Sequence, residues 1–182
     1  MALALDHLVV AARTLEEGGA WVEARLGAAP VPGGKHPAMG THNRLLGLDR
    51  GQYLEVIAVD PAAPAPARPR WFALDSNAMR ALLAGGPALI HWVVRTDDLE
   101  DALRDYPEPV EILPFERGKF RWRMGVPRDG RIPCGCPTLI QWEDGPHPSE
   151  TLPPSGCSLL EFRTAGALSA TFATPAGKRS LP

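Results

Sequence analysis

Four polar side chains interrupt segments that otherwise read as buried β-strands: His7 in LDHLVVA, Glu55 in QYLEVIAV, His91 in IHWVV and Gln141 in TLIQWE. Alternate residues of a strand share a face. His7 is therefore expected beside Leu5 and Val9, Glu55 beside Tyr53 and Ile57, His91 beside Leu89 and Val93, and Gln141 beside Leu139 and Glu143. A carboxylate among apolar neighbours is costly unless it is paired or bound to a cation. Two imidazoles, a carboxylate and an amide oxygen are the donor types of a divalent-metal site with open positions for substrate. The same residues also allow a plainer arrangement, in which both histidines are satisfied core residues and Glu55 pairs with an arginine.

The elements that must position these groups come as an internal repeat. DHLVVAARTLEE from Asp6 matches IHWVVRTDDLED from Ile90 at an ungapped offset of about 84, aligning His7 with His91 and Leu15 with Leu99. RLLGLDRG from Arg44 then resembles RMGVPRDG from Arg123, and each copy ends in an apolar strand. Within a copy the pattern is strand, helix, then short strands joined by turns. T-x-x-E from Thr14 to Glu17 reads as a capping box, with Gly27 at the helix end. Leu99, Ala102, Leu103 and Tyr106 form a helical stripe that Pro107 stops. The expected class is α+β: two βαβββ modules, 1–60 and 88–145. A Pro-rich linker with a helix capped by Asp75 or Ser76 occupies 61–87, and a tail at 146–182 carries two strands, SLLEFRT and LSATFAT.

Composition narrows the function classes. Gly 18 and Pro 20 make about 21% of 182 residues, against about 12% in average usage, which fits short elements and many turns. A net charge of −2 offers no polybasic face for nucleic acid. No apolar run approaches the ~18 residues that span a bilayer. MALALDHLVV has no basic leader, and the three cysteines, an odd count, fit a reducing cytoplasm. Cys134 and Cys136 read as incidental thiols of a surface loop.

DHLVVA…YLEVIAVDP followed by IHWVV…LIQWED resembles the glyoxalase/bleomycin-resistance/extradiol-dioxygenase (vicinal oxygen chelate) superfamily. The chain is more closely similar to bacterial glyoxalase-like domain proteins through HPAMGTHN (His36 to Asn43) and PARPRWF (Pro66 to Phe72). The resemblance implies paired βαβββ modules whose strands curve into a half-open mixed β-barrel with flanking helices. It implies metal ligands at His7, Glu55 and His91, with Gln141 where the family pattern has Glu, and Glu143 or Glu161 as substitutes. It further implies bidentate chelation of substrate oxygens by a divalent metal (Zn, Ni, Mn or Fe) acting as a Lewis acid. A base, Glu55 or Glu143, would move the proton.

Substrate contacts are expected from His42 and Asn43 in the Gly/Pro-rich loop, and from Arg121 and Arg123, which form the cationic side of RGKFRWRMG. Trp71, Trp92, Trp122 and Trp142 are expected to act as stacking surfaces. Turn chemistry for His42 and Asn43, and a solvated face for the arginines, are the plainer readings. Three functions fit. One is a metal-dependent lyase or isomerase on a small oxygenated substrate. Another is a metal-free protein that sequesters a small molecule between aromatic rings. The last is an extradiol-type dioxygenase with two histidines and a carboxylate on Fe(II). A small molecule is the expected partner in each, and a homodimer through sheet edges stays open.

Overall fold

The computed structural model describes residues 3–182. The first module runs β1 (Ala4–Ala11), α1 (Leu15–Leu26), β2 (Val31–His36), β3 (Thr41–Leu48) and β4 (Gln52–Val59). A linker helix α2 (Asn77–Ala84) follows. The second module repeats the order as β5 (Ala88–Arg95), α3 (Leu99–Ala102), β6 (Glu111–Arg117), β7 (Phe120–Val126) and β8 (Thr138–Trp142). The eight strands form one sheet in the order β2-β3-β4-β1-β5-β8-β7-β6. Each half is therefore the mirror in order of the other. β1 pairs with β4 and β5 with β8 in parallel, and the halves join through the antiparallel pair β1–β5. The sheet curls until its two edge strands, β2 and β6, lie against each other.

The two faces of the sheet bury different cores. On the convex side Leu8, Val10, Leu54 and Val56 pack under Val22 and Leu26 of α1. The same layer takes Phe172 and Leu181 from a three-stranded sheet, β9 (Ser158–Arg163), β10 (Ser169–Thr174) and β11 (Gly177–Leu181). The third of these strands was not expected, because GKRSL is polar and only Leu181 reaches the core. On the concave side Val9, Ile57, Ile90 and Ile140 meet Trp71, Phe72 and, from α2, Met79 and Leu83.

Local chemistry explains the helices. Thr14 Oγ1 accepts the Glu17 N–H at 3.1 Å, while the Glu17 carboxylate pairs with Arg13 instead of completing a reciprocal box. Ser76 caps α2 through the Met79 N–H. Asp98, at the repeat position of Thr14, caps α3 through the Asp101 N–H. α3 is a single turn, shorter than its apolar stripe predicts. Among the described residues no helix is long and apolar enough to cross a membrane.

Two β-bulges in the β1–β5 pair change which residues share a face. The pairing slips between Leu5 and His7, and again where Val9 and Val10 meet His91 and Leu89. Leu5 packs into the convex core while His7 points inward, and Leu89 packs into the convex core while Val93, expected on the same face, lies in the concave one. Simple alternation fails at both places, because a bulge inserts one unpaired residue. His91 is fully buried, and its Nε2 accepts the Thr138 N–H at 3.0 Å. It thus ties β5 to the start of β8.

Two predictions follow from this packing. A Cβ on Gly18 would lie 2.4 Å from Val56 Cγ1 and 2.8 Å from Ala12 Cβ. Gly18→Ala adds helix propensity, worth about 1 kcal/mol, but overpacks the α1–sheet contact by about 1–3 kcal/mol. Net destabilisation in urea unfolding is expected, and a stabilised variant would refute the close packing. Burial, with a smaller contribution from His7, lowers the His91 pKa to about 3, against about 6.5 in the unfolded chain. Between those values the unfolded state binds the extra proton. Stability therefore falls as pH drops, by about 1.4 kcal/mol per pH unit. His91→Gln should flatten the measured slope by that amount, and an unchanged slope contradicts a buried neutral ring.

Candidate functional site

The concave face encloses a chamber into which five polar side chains project: His7 (β1), His36 (β2), Asn43 (β3), Glu55 (β4) and Arg117 (β6). The rings of Tyr53, Trp71, Phe72, Trp122 and Trp142 form its walls. Its free volume is about 30 Å³, enough for about two water-sized groups at ~10–15 Å³ each. A cleft of about 260 Å³ adjoins it, sharing His36 and Trp122 and bordered by Ala38, Pro114 and Phe115.

The bulge at the start of β1 turns two consecutive residues, Asp6 and His7, to the interior. Asp6 is fully buried and is the hub of the site. Its Oδ1 accepts from His7 Nδ1 at 2.6 Å, and its Oδ2 accepts from Trp142 Nε1 and His147 Nε2, both at 2.9 Å. Arg95 Nη1 stands 3.8 Å away. Burial alone would raise the Asp6 pKa, but the hydrogen bonds from His147 and His7 outweigh it and hold the carboxyl well below the usual range. With His7 Nδ1–H committed to Asp6, Nε2 is the nitrogen left to face the chamber. It lies 3.7 Å from Glu55 Oε2, too far for a hydrogen bond. The His7 ring stacks on Tyr53 with centroids 4.5 Å apart. Burial raises the Tyr53 phenol well above its ordinary pKa and keeps it protonated.

A second array holds Glu55. Asn43 Nδ2 donates to Glu55 Oε1 at 2.6 Å, and Asn43 Oδ1 accepts from Gly34 N at 2.9 Å and Arg117 Nη1 at 3.1 Å. Arg117 Nη1 also donates to His36 Nε2 at 3.2 Å. His36 then uses Nδ1–H toward Thr41 Oγ1, 3.1 Å away. Burial first, and the Arg117 charge second, lower the His36 pKa to about 3, so the ring is neutral.

Of the residues singled out in the sequence, the structure brings together His7, Asn43, Glu55, Trp71, Trp122 and Trp142. It places the others elsewhere. Gln141 points to the convex side, where its Oε1 accepts from Leu99 N and Arg123 Nη2, both at 2.9 Å. Arg123 is paired there with Glu100. Arg121 and Glu143 are exposed, and Glu143 is joined to Arg121 through the backbone. His42 lies between inward Thr41 and Asn43, paired in register with Ala58 of the convex core. Glu161 is exposed on β9, bonded to Arg163. The inward residues of β8 are Ile140 and Trp142.

This arrangement decides how a metal fits. Of the four expected donors, only His7 and Glu55 face each other. His91 Nε2 is occupied by a backbone N–H, and β8 offers the chamber only apolar or indole groups. Among the described residues no three His, Cys, Asp or Glu side chains assemble a metal site. The side chains present thus fit neither the four-donor centre nor the two-histidine, one-carboxylate iron set.

Asp6, Tyr53, Arg117 and His147 escaped the sequence reading as site residues. For Asp6 the available signal was an acidic residue directly before a strand histidine, which regular alternation assigns to the opposite face. Arg117 carried none, because it reaches the site only across the seam between the two edge strands.

Residues 5–175 match the family model described as "Glyoxalase-like domain". No curated protein matches the chain at significance. Among solved structures, a hypothetical protein from Staphylococcus aureus aligns with a TM-score of 0.56 at 15% identity, covering 96% of this chain and 82% of that one. Methylmalonyl-CoA epimerase from Mycobacterium tuberculosis aligns with a TM-score of 0.48 at 20% identity, covering 78% and 88%. Through a family match that spans nearly its whole length, carried on two βαβββ modules curled into a half-barrel, the chain belongs to the glyoxalase-like domain family.

Proposed function

We propose that this protein is an acid–base catalyst of the isomerase or lyase type, acting on a small oxygenated molecule by moving a proton on carbon next to a carbonyl. One observation carries the reading: the His7 imidazole is held at Nδ1 by a buried ionised carboxylate while its Nε2 faces Glu55 across 3.7 Å inside a small chamber.

Each residue has a defined task. Asp6 fixes the His7 tautomer and would stabilise the imidazolium formed when Nε2 takes a proton. Glu55 Oε2 lies on the other side of the gap, with Oε1 anchored by Asn43, so it can deliver or receive a proton without swinging. The aromatic walls exclude water, which strengthens each of these interactions. No step is routed through a metal, because the donor set does not fit one.

A second reading has its own support. The aromatic lining and the apolar inward face of β8 suit a protein that holds a small molecule without transforming it. The two are separated by following deuterium incorporation from D2O into pyruvate, 2-oxobutyrate and hydroxyacetone by NMR. Exchange above the buffer rate is expected with at least one of them. It should fall by about 10²–10⁴-fold in His7→Gln. In Asp6→Asn a loss of similar or larger size is expected, because the amide no longer fixes the tautomer. Binding of these compounds with no exchange would establish the second reading instead.

Elemental analysis of protein purified without a chelating tag gives an independent check. Zn, Ni, Mn and Fe are each expected far below one equivalent. A stoichiometric metal that disappears in both His7→Ala and Glu55→Ala would overturn the metal-free mechanism.

A further inference from the structure

Arg117 has an unusual electrostatic position. It is half-buried at the seam where β6 meets β2, and among the described residues no carboxylate lies within ion-pair distance of it. Among the described residues its hydrogen bonds run from Nη1, to the neutral His36 ring and to the Asn43 amide oxygen. The Nε and Nη2 donors, one edge of the planar fork, have no acceptor among those residues. A guanidinium edge left open toward the chamber is available to an anion. Its position is built for. A Cβ on Gly34 would fall 2.5 Å from Arg117 Cδ, and one on Gly33 would fall 2.1 Å from Asn43 Oδ1. The Gly33-Gly34 pair is what lets both side chains approach.

Trp71 supplies a second, independent observation. It lines the same chamber and is 4% exposed, and its Nε1–H is buried without any hydrogen-bond partner. Buried indole N–H groups ordinarily find one. The residue is held in place at some expense, since the backbone directly after it is left-handed at two non-glycine residues, Phe72 and Ala73, both at φ 55°. Such conformations persist where the surroundings enforce them. Here Ala73 N donates to Gly130 O at 2.7 Å, Arg70 binds Asp75 at 2.6 Å, and Arg68 reaches Pro127 O at 3.1 Å.

We propose that Arg117 and Trp71 form an anion clamp for the carboxylate of a small organic acid, whose planar apolar body lies in the adjoining cleft against the stacked Phe115 and Trp122 rings. The chamber has room for a carboxylate and little more, while the cleft of about 260 Å³ has the volume for a ring. Bidentate binding by the free guanidinium edge fits a carboxylate better than a hydroxyl or an amide. The assignment of ligand class rests on the chamber being the ligand site of the function proposed above.

Benzoate and its neutral isostere benzamide test the clamp by calorimetric titration of the intact protein. Benzoate is expected to bind at least about 10-fold more tightly. Arg117→Gln should weaken benzoate by about 10- to 100-fold and leave benzamide nearly unchanged. Trp71→Phe, which keeps a ring and removes the N–H, should weaken benzoate by about 3- to 10-fold. Arg104→Gln, an exposed charge removal on the far side of α3, should match the parent protein. If Arg117→Gln does not fold, Arg117→Lys serves, because it keeps the charge and loses the fork; benzoate should still weaken. Equal binding of the two probes, no binding of either, or benzoate affinity insensitive to Arg117 would overturn the proposal. The outcomes separate from those of the acid–base reading. Benzoate has no exchangeable proton beside a carbonyl, so the clamp can stand while exchange is absent. Conversely, exchange on hydroxyacetone that survives Arg117→Gln would uphold the acid–base reading without the clamp.

Discussion

The buried Asp6 carboxylate is the interaction on which the site depends. An ion with no water contact survives only if its lone pairs are filled. Here the donors come from distant parts of the chain: His7 beside it, Trp142 at the end of the second module, and His147 in the loop before the tail. Arg95 on β5 adds a positive charge. These contacts link the repeated modules and the non-repeated tail at one point. They also make the orientation of His7 a property of the whole fold, since a shift of β8 or of the 146–154 loop would strand the carboxylate. His147 in particular changes from a loop residue between prolines to a member of the support around the His7 imidazole.

A comparable dependence runs through the linker. Prolines stiffen residues 61–70, and bonds from Arg70 Nε to the Gly40 carbonyl, from Arg68 to the Pro127 carbonyl and from Ala73 N to the Gly130 carbonyl hold the following turn against both modules. Two left-handed residues there have an estimated strain of about 1–3 kcal/mol each. What this conformation achieves is to insert Trp71 and Phe72 into the open side of the half-barrel. Gly130 permits it, because a Cβ there would fall 2.2 Å from the Arg70 carbonyl oxygen. The duplication alone would leave a wide groove; the linker converts it into an enclosed chamber.

The architecture was legible because the repeat is written in two matching blocks, so the βαβββ order of each module followed, with α1 bounded by Thr14 and Gly27 and α2 begun by Ser76, one of two candidate caps. The site was legible only in its first half. His7 and Glu55 read as polar residues within apolar strands, whereas Asn43 is reached only as part of a loop that also names its outward neighbour His42. β8 gave no such guide. In TLIQW, Leu139 is buried against the convex side and Ile140 in the chamber, so both faces are apolar and alternation does not say where Gln141 points. The bulges hid the rest, because an unpaired residue reverses parity without leaving a pattern in residue types.

That parity difference carries the chemistry. With Gln141 inward, the module repeat would present two matched pairs of donors and invite a metal. With Ile140 and Trp142 inward, the first module keeps its polar pair while the second contributes walls. His91 shows the same divergence from its repeat partner. Both histidines occupy equivalent strand positions, yet His7 is held by a carboxylate at Nδ1 and turns Nε2 to the chamber, whereas His91 receives a backbone N–H at Nε2 and joins two strands. The duplicated scaffold is thus asymmetric in what it presents to the chamber, with the first half supplying an imidazole and a carboxylate and β8 only apolar and indole groups. Arg117 crosses the seam to set the charge between them.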